Sequence, residues 1–312
     1  MATTAESRLA ESSRVQTASP ETSGEREMKR RHRFQVATYL GPIMFVQVLF
    51  VLAPLSFILM FSVLKTGPYG NIVFELTLEN YRNLLDTGYA TVFFKSIYYA
   101  LQTNFVCILL SYPLAYYIAR YGGRWKASLL LLIVIPSWTA YIIRLYALKT
   151  ILGSNGLINN FLIDLGVIQL PIQFLYTSYA VSAGLVYTWL PFMVLPLYAA
   201  LEGLDSSLWE AAKDLGATPV RRFFRVTLPL TRGGLLAGTL LVFIPSLGDW
   251  LVPHLLGGSK FMMAGTLVAH KFTAAGDIPG GSCLAAALAF VLLLLIYFVI
   301  RFGGRESLEQ AL

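Results

Sequence analysis

Residues 204–234 read LDSSLWEAAKDLGATPVRRFFRVTLPLTRGG, a polar and basic island between two long apolar runs. Leu208, Ala211, Ala212 and Leu215 recur at i, i+3, i+4 and i+7, which is one face of a helix. Ser207 followed by Glu210 has the form of a capping box, so this helix is expected to start between residues 205 and 207. Gly216 stands where a left-handed C-terminal residue is wanted, and Thr218-Pro219 offers an N-cap and a first-turn proline for a second helix. That helix turns Val220, Phe223, Phe224 and Thr227 to one side and Arg221, Arg222 and Arg225 to others, and Leu228-Pro229 is expected to stop it. The stretch therefore reads as helix, glycine corner, helix. A pair this basic, set between apolar spans, belongs on a cytoplasmic surface.

Composition agrees with a membrane setting. Of 312 residues, 56% are hydrophobic and 13% charged, with a mean hydropathy of +0.63, whereas a soluble domain carries about a quarter charged residues. The net charge of +7 is spread over short segments between apolar runs, so it marks membrane topology rather than a nucleic-acid surface. Cys107 and Cys283 lie inside apolar stretches and read as small core residues, with no disulfide or metal pattern.

Outward from the loop, the chain divides into an all-α membrane protein of six spans. Residues 1–33 form a cytoplasmic tail without periodicity, ending in the basic run Lys29, Arg30, Arg31, His32 and Arg33. The first span falls in 34–65, longer than a signal-peptide core and with no small-residue cleavage site after it. Residues 66–92 are expected as a periplasmic loop, a turn followed by a short surface helix. Residues 93–301 carry spans two to six around the coupling segment, and 302–312 form a cytoplasmic C-terminus. The second span is expected over 96–119, the third over 127–151, the fourth over 180–201, the fifth over 233–252 and the sixth over 282–300. Residues 157–179 read as a surface helix and loop, and 253–281 as an outer loop. Most of the 24 Lys and Arg residues then fall on the side of the two termini, which places both termini in the cytoplasm.

The order Glu210-Ala211-Ala212, Gly216 and Leu228-Pro229 between two spans resembles the EAA loop of the membrane subunits of bacterial, binding-protein-dependent ATP-binding-cassette importers. The resemblance implies that Glu210, Ala211, Ala212, Asp214, Gly216, Arg221, Leu228 and Pro229 couple the chain to a separate ATPase. Small residues at 211 and 212 let another surface approach, and Glu210 offers a carboxylate to a partner arginine. The plainer alternative is that Glu210 only completes a capping box and the arginines lie on anionic lipid headgroups. Over 93–300, SWTAYIIRLYA, LGSNGLIN, LVYTWLPFMVLPLYAALEGLD and VFIPSLGDWLVPHLLGG resemble the first permease subunit of spermidine/putrescine importers. The long N-terminal tail and the outer-loop string TLVAHKFTAAGDIPGG depart from that pattern. The resemblance further implies a second, homologous permease subunit, two ATP-binding subunits, a periplasmic solute-binding protein and a location in the bacterial inner membrane.

The chain offers little chemistry of its own. No G-x-x-x-x-G-K-[ST] occurs, and Gly257-Gly258-Ser259-Lys260 has the wrong spacing, so any ATP is expected to be bound by a partner subunit and no cofactor is assigned. His32, His254 and His270 are scattered and suggest neither a metal site nor a catalytic triad. Two ionisable residues stand inside spans, Arg144 and Asp249, each roughly 25 Å from the cytoplasmic end at 1.5 Å per residue. Such residues mark a candidate translocation pathway, with Trp138, Tyr141 and Trp250 close by in sequence to line it. Arg144 and Asp249 pairing with each other, Arg144 snorkelling outward, and aromatic anchoring at the interface explain the same residues. An importer permease for another small solute (iron(III), phosphonate or another cationic compound) stays open as an alternative. An ATP-independent secondary transporter is disfavoured, because no internal repeat is found and only one candidate carboxylate lies within the spans.

Overall fold

A computed structural model describes residues 23–67, 71–84, 87–259 and 261–303. The first two-thirds of the N-terminal tail, residues 1–22, and the C-terminal residues 304–312 lie outside the described residues. The chain divides into two units, residues 1–57 and 58–312. In the first, helix α1 starts at Ser23 and runs into the second unit, Ser23–Ser62 in all. Its opening turns therefore reach into the segment that the sequence assigns to the tail. Pro42 and Pro54 sit inside it without ending it, as spans tolerate when nearby groups or local adjustment satisfy the freed carbonyls.

In the second unit an antiparallel hairpin follows, β1 (Leu64–Thr66) and β2 (Ile72–Leu76), which the sequence did not announce. Helix α2 (Glu79–Leu84) is the expected short surface helix. Helix α3 (Thr87–Tyr121) is the second span, and α7 (Ser178–Glu202) the fourth. The third span departs from expectation. It is broken into α4 (Lys126–Trp138) and α5 (Tyr141–Leu152), with a bend of 93° between Gly123–Trp138 and Tyr141–Asp164. Pro136 lies in the last turn of α4, and Thr139 and Ala140 take extended backbone between the halves. A proline removes one helical bond and crowds the preceding turn. The hydroxyl of Thr139 then donates to the Pro136 carbonyl at 2.8 Å, which helps close the broken end.

Helix α6 (Leu157–Asp164) is short, and α8 (Ser206–Asp214) and α9 (Pro219–Arg222) form the expected pair. Contrary to expectation, Leu228-Pro229 does not stop the second helix. The chain widens into a π turn, Phe223–Thr227, continues through α10 (Leu228–Leu230), and breaks at Thr231 before α11 (Arg232–Gly248), with a bend of 69°. The extra residue in a π turn shifts the carbonyl register, so the missing N–H and the ring of Pro229 are absorbed without ending the helix. Beyond α11 the expected outer loop holds a second π turn, Pro253–Gly257, and helix α12 (Ala264–Thr273), before the last span α13 (Ile278–Gly303). Among the described residues four helices are long and apolar enough to cross a membrane, or up to six if each bent pair is one span.

The core is the packing of α3, α7 and α11. Cys107, Tyr112, Ala115 and Ala119 meet Met193, Val194, Leu197, Leu201 and Val242. Both cysteines are free and buried, as their apolar surroundings predict. Close approach of α7 and α11 depends on Gly234, where an added Cβ would stand 2.5 Å from the Pro196 carbonyl oxygen and 2.5 Å from the Ala200 Cβ. Neither atom is the end of a flexible side chain, and small residues at helix interfaces are what allow such contact in membranes. Gly234→Ala is expected to destabilise the chain by about 1–3 kcal/mol. A lowered thermal midpoint in detergent checks this, and an unchanged midpoint would mean that α7 and α11 yield at no cost.

Candidate functional site

Two clusters carry the residues singled out from the sequence, one on the loop and one where α4 gives way to α5 and where α11 breaks off at Asp249 and Trp250 before helix resumes at Leu251. On the loop, the cap of α8 is Asp205, whose carboxylate accepts from the Ser207 N–H at 2.9 Å. That bond holds the exposed Asp205 carboxyl below its ordinary value. The expected Ser207–Glu210 box is not what caps the helix, because Asp205 precedes Ser207 and an ionised carboxylate is a strong acceptor for first-turn N–H groups. Glu210 is left exposed, its carboxylate not used as that cap. The C-terminal end is as the sequence predicts. Gly216 has φ +75°, the Gly216 N–H donates to the Lys213 carbonyl at 2.9 Å, and the Ala217 N–H donates to the Ala212 carbonyl at 3.1 Å. These are the two bonds of a Schellman closure. The Thr218 hydroxyl then caps α9, with Pro219 in its first turn.

The helix pair shows its apolar residues outward. Leu208, Leu215, Val220 and Phe224 are exposed, Leu215 at 88%. Ala211, Asp214 and Arg221 are exposed beside them, and Ala212, Leu228 and Pro229 are half-buried. Val220 and Phe224 do not share a buried face with Phe223 and Thr227, since the π turn rotates the register between them. Inward contacts fall to residues the sequence reading passed over. The Trp209 ring stacks near Tyr116, with centroids 5.6 Å apart, and carries the guanidinium groups of Arg120 at 4.6 Å and Arg222 at 5.1 Å.

At the breaks, Asp249 is 6% exposed. Its Oδ1 accepts from the N–H groups of Leu251 at 3.0 Å and Val252 at 3.1 Å, capping the helical segment after the break. Its Oδ2 accepts from the Tyr141 hydroxyl at 2.6 Å and the Trp189 Nε1 at 3.2 Å. Tyr141 opens α5, Trp189 lies in α7, and Asp249 ends α11, so one carboxylate ties three spans together where two of them are broken. Gly265 of α12 packs directly on the Gly248 carbonyl, closing the outside of the break. Among the described residues Arg144 and Asp249 form no ion pair. The Arg144 guanidinium instead lies 5.8 Å from the Tyr141 ring centre, and its Nε is buried without a hydrogen-bond acceptor. Trp138 and Trp250 are exposed, at 75% and 50%, and the side-chain donors to the carboxylate are Tyr141 and Trp189 instead. Of the five residues expected here, the structure joins Tyr141, Asp249 and Arg144, and adds Trp189. A tryptophan in an apolar run gives no sequence signal for its partner.

A separate cavity of about 670 Å³ opens between Tyr146, Lys149, Gln173, Tyr176, His254 and Ser259. Among the described lining residues, Lys149 carries a cationic side chain.

Residues 111–303 match the family model of the binding-protein-dependent transport system inner membrane component. The spermidine/putrescine transport system permease protein PotB of Haemophilus influenzae is 41% identical over 254 residues, covering 81% of this chain and 89% of that protein. The protein of the same name from Escherichia coli is 41% identical over 253 residues, covering 80% and 92%. Among solved structures, a bacterial alginate ABC transporter in complex with an alginate pentasaccharide-bound periplasmic protein aligns with a TM-score of 0.67 at 17% identity, over 90% of this chain and 97% of that one. That likeness concerns the fold. On the match over residues 111–303 and these identities, the chain belongs to the binding-protein-dependent transport system inner membrane components.

Proposed function

We propose that the chain is one permease subunit of an ATP-binding-cassette importer for polyamines, spermidine and putrescine, and forms half of the translocation pathway. The observation that carries this reading is the 41% identity to spermidine/putrescine permeases over four-fifths of the chain. Its counterparts are a second, homologous permease, two ATP-binding subunits that hydrolyse ATP, and a periplasmic solute-binding protein. Both termini and residues 204–234 lie in the cytoplasm, residues 66–92 in the periplasm, and residues 93–301 form the conducting domain. Binding of ATP draws the ATPase pair together, and the movement reaches the membrane through α8 and α9.

The exposed face of Leu208, Ala211, Leu215, Val220 and Phe224, with Glu210 at its edge, supports docking on the ATPase. Apolar anchors with a charged rim suit such a surface. In the pathway, Asp249 is the carboxylate suited to an ammonium group, and its hydrogen bonds from Tyr141 and Trp189 make the described arrangement a closed one. A cation that reaches Asp249 replaces those two donors. The Lys149 cavity repels a polycation, so the route avoids it.

Uptake of labelled putrescine and spermidine in cells lacking this gene, and in the same cells with it restored, tests the proposal. Loss on deletion and rescue on restoration are expected. Unchanged uptake in a strain with no second polyamine system would remove the substrate assignment.

A further inference from the structure

We infer that Trp209 is the contact through which the loop drives helix α3, so that α3 acts as a rod between the ATPase side and the break at Asp249. The inference rests on the importer reading of the loop. Its covalent links are poor transmitters. Upstream, α7 ends at Glu202 and α8 starts at Ser206, with extended backbone at Asp205 between them. Downstream, the loop joins α11 through the break at Thr231 and the 69° bend. A broken helix absorbs motion by changing a few dihedral angles.

Side chains make the stiffer connection. Tyr112, Tyr116 and Arg120 lie at i, i+4 and i+8 on one face of α3, and each meets the loop. Tyr112 donates its hydroxyl to the Thr231 Oγ1 at 2.6 Å, since the Thr231 hydroxyl is itself donated to the Thr227 carbonyl. Tyr112 and Tyr116 both pack edge-on against Phe223, at 5.1 and 6.5 Å. Tyr116 and Arg120 then hold Trp209. The Nε and Nη2 of Arg120, the Nε of Arg222 and the Nε1 of Trp209 are all buried without an acceptor among the described residues. The indole ring is a shared partner of both guanidinium groups. Displacing Trp209 alone would take that ring from both groups and from Tyr116, so α3 follows α8.

At its other end α3 is joined to the segment over the break. The Ala264 N–H donates to the Ser96 Oγ at 2.7 Å, the Lys95 ammonium lies 3.9 Å from the Phe261 ring centre, and Tyr99 packs on Phe261 at 4.9 Å. One residue beyond Ala264, Gly265 sits on the Gly248 carbonyl next to Asp249. Between these ends α3 is one helix of 35 residues, which Pro113 enters without ending.

The test uses the assembled transporter in proteoliposomes, with an environment-sensitive fluorophore at Leu101→Cys, an exposed position on α3. ATP binding is expected to change its emission in the parent protein. In Trp209→Ala the change is lost and spermidine uptake falls about tenfold, while ATP hydrolysis and co-purification of the ATPase persist. Trp209→Phe restores both signals. Absence of an ATP-dependent change in the parent, its persistence in Trp209→Ala, or a parallel loss of hydrolysis and uptake would each overturn the inference. If the emission change behaves as expected while the parent imports no spermidine, the rod stands and the substrate assignment falls.

Discussion

Asp249→Ala is expected to abolish uptake and to lower the thermal midpoint of the chain more than any other single substitution named above. Four donors converge on this carboxylate: two backbone N–H groups, the Tyr141 hydroxyl and the Trp189 indole N–H. A buried donor stranded by loss of its acceptor costs about 1–3 kcal/mol, so removing the acceptor of four leaves a deficit of several kcal/mol even if some donors find new partners. Asp249→Asn should fall between. Its amide oxygen can still accept from Leu251 and Val252, but its NH2 then faces the Trp189 N–H, donor against donor. Stability and transport separate the two roles assigned to the residue. If Asp249 only joins the bent spans, uptake should track the thermal midpoint across Ala, Asn and Tyr141→Phe. If the charge also meets the polyamine, Asp249→Asn should lose more uptake than Tyr141→Phe at a matched midpoint. Wild-type stability and uptake in Asp249→Ala would refute both roles.

What could be read from the sequence was local. Runs of apolar residues gave the spans, and Gly216 with Thr218-Pro219 gave the corner, because a positive φ and a first-turn proline are properties of one or two residues. Choices among neighbouring groups were harder. Asp205 and Ser207 are both good caps, and only the backbone path decides between them. Pro229 was expected to end a helix because a proline normally does, but a π turn upstream removes the conflict. The break at residues 139–140 was hidden for a different reason. Pro136-Ser137-Trp138-Thr139 interrupts the apolar run only briefly, spans tolerate a proline, and the residues at the break hold their place through partners far along the chain. Tyr141 meets a carboxylate 108 positions away, and Trp189 meets it across 60. Asp249 itself was visible as a charge out of place in a span. That it would be fully hydrogen-bonded, rather than open or paired with Arg144, required the third dimension. The same holds for Trp209, which looks in sequence like one more apolar residue beside Glu210.

Gly216→Val is expected to eliminate uptake with the spans intact, because the substitution acts only on the angle between α8 and α9. An added Cβ at this position meets nothing within 4 Å. No clash with a neighbour is available to explain an effect, so the backbone alone decides it. At φ +75° an ordinary L-residue is strained by about 1–2 kcal/mol, and a β-branched one is a true outlier. Valine therefore drives residue 216 out of the left-handed region, and the bonds from Gly216 to Lys213 and from Ala217 to Ala212 open together. With them goes the relation between Leu208 and Leu215 on one helix and Val220 and Phe224 on the next, which is the surface proposed to meet the ATPase. The order of severity should be Asn, then Ala, then Val, since asparagine tolerates this conformation best after glycine. Co-purification of the ATPase subunit should fall in the same order, while the yield of folded membrane protein stays level. A valine variant that retains the ATPase and transports normally would show that the corner is not needed for docking, and the exposed apolar residues of α8 and α9 would then need another partner.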